Sequence, residues 1–143
     1  MGKFLLNTAA LIIAFAPVAR GTDIIGTWSE RTEYSLNRYP YRNEIATDRL
    51  TWRFLPDQTF EFTGKSSRHG SPVTHWDGLW SFGPDACIEA GINYPDNLII
   101  AINTGSTDLC CYDASSLGDR LLLVYTNRYC PGWLRGDHTL SRR

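Results

Sequence analysis

The 143-residue chain predicts an all-β fold, an up-and-down antiparallel barrel of about eight strands. Three observations carry that expectation. No window sustains a helical period. Apolar and polar residues alternate in short runs instead, and each run ends in Gly, Pro, Asn, Asp or Ser. Closing such strands into a barrel removes exposed sheet edges; a two-sheet sandwich is the alternative.

Ahead of the strands stands a targeting segment. Lys3 gives a positive start, Phe4 to Ala16 is apolar apart from Asn7 and Thr8, and Pro17 to Gly21 ends the run. That stretch is short for a bilayer span and matches a signal-peptide core. Residues 1–21 are therefore expected to be a signal peptide, and residues 22–143 the barrel domain of a secreted or periplasmic protein. The alternative is an N-terminal anchor that is retained. On the first reading, the membrane matters only during export.

The first strand is expected over Ile24 to Tyr34, followed by a tyrosine-rich loop from Ser35 to Asn43 that Pro40 interrupts. Leu50, Trp52 and Phe54 then alternate with Thr51 and Arg53. Leu55-Pro56-Asp57-Gln58 reverses the chain, and Phe60 and Phe62 resume the apolar face. This is a β-hairpin with an aromatic inner side. Gly64 to Thr74 reads as a polar loop; Trp76, Trp80 and Phe82 share one side of the next strand. Ala86 to Ala90 offers a further short strand. Leu98 to Ile102 and Leu121 to Tyr125 are apolar on both faces and read as strands covered on two sides. Between them lie Asp108 to Tyr112 and a Ser-Ser-Leu-Gly turn at 115–118, and the last strand is Asp137 to Arg142.

Four cysteines lie beyond the leader: Cys87, Cys110, Cys111 and Cys130. In an exported chain an even count reads first as disulfides. A bridge between the neighbours Cys110 and Cys111 is geometrically strained. The sequence therefore favours one bridge from Cys87 and one from Cys130, each ending on a member of the pair. Were that pair in a strand, its side chains would point to opposite faces. Each bridge closes a loop of roughly twenty residues, worth about 3 kcal/mol in the chain-entropy model. The rival, a thiolate metal site, lacks paired Cys-x-x-Cys spacing, and no metal or cofactor is expected.

Without the leader, 12 basic and 15 acidic residues remain, a net charge of −3. The basic residues are scattered singly, which argues against a nucleic-acid partner.

Gly26-x-Trp28 at the start of strand one resembles the lipocalin-like (calycin) group of small barrels. So do the Phe54-to-Phe60 hairpin, Gly78-x-Trp80, and Arg142 in the final strand. The resemblance implies that Trp28 plugs the closed end with Arg142 stacked over its face. The avidin relatives also open on Gly-Thr-Trp, but Ser29-Glu30-Arg31-Thr32-Glu33 stands where their biotin site needs an Asn/Ser run. A disulfide-stapled periplasmic protease inhibitor of the same barrel shape is the closer comparison.

Candidate ligand-binding residues are Trp52, Phe54, Phe60, Phe62 and Trp76 inside, with Tyr34, Tyr39 and Tyr41 guarding the mouth. The same rings could simply fill the core, and the tyrosines could belong to an ordinary loop. His69, His75 and His138 fit no shared strand face. No nucleophile elbow or phosphate loop appears, so no catalysis is expected. Arg135-Gly136-Asp137 spells an integrin-type tripeptide, but Gly136 reads more simply as the turn into the last strand. The expected function is an exported, non-catalytic binding protein for a small apolar or aromatic ligand. The alternative is a protein-binding module that uses loops 35–43 and 65–75.

Overall fold

The computed structural model describes residues 21–38, 41–83, 87, 97–105, 107–126 and 130–143. A short helical turn, α1 (Gly21–Ile24), leads into β1 (Gly26–Arg38), β2 (Tyr41–Phe54), β3 (Thr59–Ser66) and β4 (Thr74–Phe82). Then follow β5 (Leu98–Asn103), β6 (Thr107–Leu117), β7 (Arg120–Tyr125), a 3₁₀ turn (Gly132–Leu134) and β8 (His138–Arg142). Each strand pairs antiparallel with the next, and β8 returns to β1, closing the barrel. The fold is the predicted one.

Alternation decides which residues fill it. Trp28, Trp52, Phe54, Phe60, Phe62, Leu98, Ile100, Ile102, Tyr112 and Leu121 are fully buried, every second residue of their strands facing inward. At Gly78 a β-carbon would fall on the Ala101 carbonyl, so the second Gly-x-Trp step reflects close packing of β4 on β5.

Several boundaries differ from the sequence reading. Most of the expected Ser35–Asn43 loop is strand: β1 runs on to Arg38 and β2 already begins at Tyr41. β6 continues through the expected 115–118 turn, and the chain reverses only at Gly118 (φ +63°) and Asp119, between paired Leu117 and Arg120. Strand β7 is covered on one side only, since Leu122 and Val124 are 37% and 49% exposed. The expected strand at 86–90, apart from Cys87, and the expected leader, apart from Gly21, lie outside the described residues.

The end carrying α1 is sealed by Trp28 and Arg142, which stand opposite each other on β1 and β8. The Arg142 guanidinium carbon lies 4.2 Å from the centroid of the Trp28 ring. Its two terminal nitrogens donate to the Ile25 and Asp23 carbonyls at 3.0 and 2.8 Å, while Trp28 Nε1–H donates to the Ile24 carbonyl at 2.7 Å. Gly26 holds φ +137°, and its missing β-carbon would stand 2.7 Å from the Arg142 guanidinium. One cation thus ties α1 down to the barrel.

Both bridges end on the neighbours in β6: Cys87–Cys111 with Cα atoms 6.2 Å apart, and Cys110–Cys130 at 4.9 Å. Cys110 and Cys130 belong to the interior cluster, whereas Cys111, buried too, lies on the opposite side of the strand. Disulfides of this kind fit an oxidising compartment.

Candidate functional site

Trp52 is the hub of the interior. It meets Phe60, Phe62 and Tyr112 edge-on, with ring centroids 6.0, 5.5 and 6.2 Å away. Phe54 packs on Phe60 and Trp80, at 5.0 and 5.5 Å, and Trp76 stacks on Phe62 at 5.5 Å. Trp52, Phe54, Phe60 and Phe62, expected to line a ligand space, are all fully buried against one another. Trp76 is only partly buried against them. Among the described residues, the indole N–H of Trp52 is the one buried side-chain polar atom that finds no partner.

A buried polar cluster, not anticipated from the sequence, lies beside Trp52. Backbone pairing of β1 with β8 covers only Trp28 and Ser29. Beyond them the Glu30 carboxylate takes over, accepting Thr139 N–H at 3.2 Å and facing His138 Nδ1 at 3.0 and 3.1 Å. The other ring nitrogen, Nε2, lies 3.2 Å from the Leu134 carbonyl. Both ring nitrogens therefore lie beside oxygen atoms. The Trp52 ring stands 4.8 Å from the His138 ring. The Tyr112 hydroxyl donates to the same Leu134 carbonyl, and burial pushes its pKa well up, with Tyr125 and Glu30 adding to the effect. The signal that could have revealed this cluster is parity: Glu30 shares the inward side of β1 with Trp28, and His138 that of β8 with Leu140.

The connection from β7 to β8 folds over the end opposite Trp28. Cys130 and Leu134 are fully buried. Trp133 lies over Gly64, its ring atoms 3.0 Å from where a β-carbon would be, and its N–H donates to Thr74 Oγ1 at 3.1 Å. Any side chain at Gly64 would push this cover outward. The Arg-Gly-Asp string is spent on the same connection: Arg135 donates to the Cys130 carbonyl at 3.2 and 3.1 Å, and Asp137 accepts Tyr125 N–H at 2.8 Å.

β1 and β2 run past the rest of the barrel. β8 stops pairing with β1 at Ser29, and β3 leaves β2 at Asp48 apart from the Ser67 bonds to Thr47. Residues 31–38 and 41–46 accordingly form a two-stranded arm whose outer edges pair with no other described strand. Tyr34 sits on it, half-buried, its hydroxyl donating to Asp48 at 3.2 Å. Ile45 is 70% exposed. Tyr41 begins β2; its side chain, like Tyr39, lies outside the described residues. Of the remaining histidines, His69 is exposed in the β3–β4 loop, and His75 faces solvent 3.4 Å from Asp77 and 3.2 Å from Thr63 Oγ1.

Among the described residues no three His, Cys, Asp or Glu side chains gather as metal ligands, and all four cysteines are in bridges. No helix among them is long and apolar enough to cross a membrane. Fold and interior together define a disulfide-stapled, closed eight-stranded barrel with an aromatic heart and a projecting arm. Set against known proteins, the chain matches no family model, no curated protein and no solved structure.

Proposed function

We propose that the protein is an exported, non-catalytic, lipocalin-like barrel that binds another protein through its β1–β2 arm. The open edge of that arm carries the proposal. Beyond Ser29, β1 presents backbone N–H and C=O groups that neither β8 nor any other described strand takes up. An extended segment of a partner can add to such an edge, its main chain giving affinity and the outward Glu33, Ser35 and Ile45 giving selectivity. The buried aromatic heart and the cover formed by Trp133 and Leu134 support protein binding over carriage of a large apolar ligand. The test replaces residues 33–45 by a two-residue Asn-Gly turn and compares capture of exported proteins by the two forms. Partners held equally well by the shortened barrel would exclude the arm.

A second reading, binding of a small apolar or aromatic molecule inside, is favoured by one observation. The Trp52 N–H finds no acceptor among the described residues, and a ligand oxygen would supply one. Tryptophan-quenching titrations with fatty acids, retinoids and aromatic acids test it. Binding tighter than about 100 μM, or roughly −5.5 kcal/mol, would favour this reading.

A further inference from the structure

Basic residues scattered singly along the sequence are collected by the register. Arg31 on β1 stands directly opposite Arg49 on β2, and Arg49 directly opposite Lys65 on β3. All three are exposed and alternate with the buried Leu50, Gly64 and Ser66, so they project from the outer wall. Like charges in direct cross-strand opposition destabilise a sheet. Glu33 relieves Arg31 at 2.7 Å, but among the described residues no carboxylate pairs with Arg49 or Lys65. The neighbouring row towards the closed end is hydroxylic: Ser29 faces Thr51, and Thr51 faces Thr63.

Two outer hollows share Arg49. One, of about 390 Å³, is lined by Ser29, Arg31, Thr51, Arg143 and Glu30, whose carboxylate faces His138; the other, of about 320 Å³, is lined by Thr47, Lys65, Ser66 and Ser67. Cations beside hydroxyls suit a tetrahedral oxyanion, because a guanidinium grips two oxygens in plane and hydroxyls donate to the rest. Strand spacing sets the backbones that carry these three cations about 4.8 Å apart, so their flexible side chains can converge on a multiply charged anion. We propose that the outer wall of β1–β2–β3, centred on Arg49, is a binding site for a phosphate- or sulfate-bearing anion. The site shares Arg31 with the base of the arm but uses side chains and not the open backbone groups, and it is independent of the barrel interior.

Titration of the full chain with inorganic pyrophosphate at low salt, followed by amide chemical shifts, tests this directly. Cosedimentation with phosphatidylglycerol vesicles, against phosphatidylcholine vesicles, gives a second arm. Shifts should gather on β1–β3 around Arg49, and Arg49→Gln should weaken binding at least about tenfold, as loss of charge-assisted hydrogen bonds predicts. Arg53→Gln is the control: Arg53 is also exposed on β2 but is held by Glu61 at 3.3 Å, and its loss should change affinity less than about twofold. Arg49-dependent pyrophosphate binding assigns the site to small soluble phosphates. Arg49-dependent vesicle binding without pyrophosphate binding assigns it to lipid headgroups. Equal weakening by both substitutions, or no binding to either probe at low salt, overturns the site.

Discussion

One hairpin, β1–β2, leads two different lives. Its lower half, Gly26 to Glu30 against Leu50 to Phe54, is walled by β8 and β3 and buries Trp28, Trp52 and Phe54 completely. Its upper half continues the same ladder in register as far as Leu36, yet no described strand borders it on either edge, and Ile45 stands in water. The backbone bonds are alike in the two halves. What differs is burial, and an isolated two-stranded ribbon is marginal in water. Stability belongs to the half inside the barrel, and freedom to be recognised belongs to the half outside.

The sharpest way to break that contrast is a pair of truncations. Trp52→Ala should cost about 3–5 kcal/mol in urea unfolding, as large-to-small changes in aromatic cores do, while Ile45→Ala should stay within about 0.5 kcal/mol. Similar costs for both would mean that the arm belongs to the folded core. Replacing Cys110 and Cys130 together by Ala should cost about 3 kcal/mol, the value for a bridge spanning 20 residues. An unchanged urea midpoint would show that the cover over the barrel end does not depend on its tether. Removing the guanidinium in Arg142→Gln should cost about 1–2 kcal/mol through the lost ring contact and carbonyl bonds, with the largest shift in Trp28 fluorescence. In native-state hydrogen exchange, amides of residues 32–36 should exchange faster than those of residues 50–54; equal protection would contradict the division.

The smallest effect concerns acid. The Asp57 carboxylate accepts the Thr59 hydroxyl at 2.6 Å and its N–H at 3.0 Å, and both bonds hold its pKa below the usual carboxylate value. A folded-state pKa below the unfolded one stabilises above the unfolded value and is lost as pH falls through the folded one. Asp57→Ala should therefore lower Tm slightly at pH 6 and leave it unchanged at about pH 2. A difference that persists in acid would point to turn conformation, not charge.

The halves of the hairpin also differ in how plainly the sequence announces them. Leu50, Trp52, Phe54, Phe60 and Phe62 spell their strands because one face of each is buried. From Arg31 to Leu36 no residue is fully buried, polar residues serve on both faces, and alternation fades although the strand continues. Alternation is a signal of burial more than of extension, which is why residues 35–43 read as a loop. The Glu30–His138 contact spans 108 positions and the Arg31–Arg49–Lys65 row crosses two turns, so both become visible only once register is known. Bond geometry narrows the cysteine partners, but the choice between Cys110 and Cys111 depends on which side of β6 faces in.

That choice makes the cysteine doublet a checksum on the assembly of the barrel. Sliding β6 by a single residue would turn Cys110 outward and Cys111 inward, carrying each sulfur away from Cys130 and Cys87. A misthreaded molecule could close its bridges only by exchanging partners. Peptide mapping of oxidised material would then distinguish right-side-out from inside-out barrels of identical mass and sulfur content.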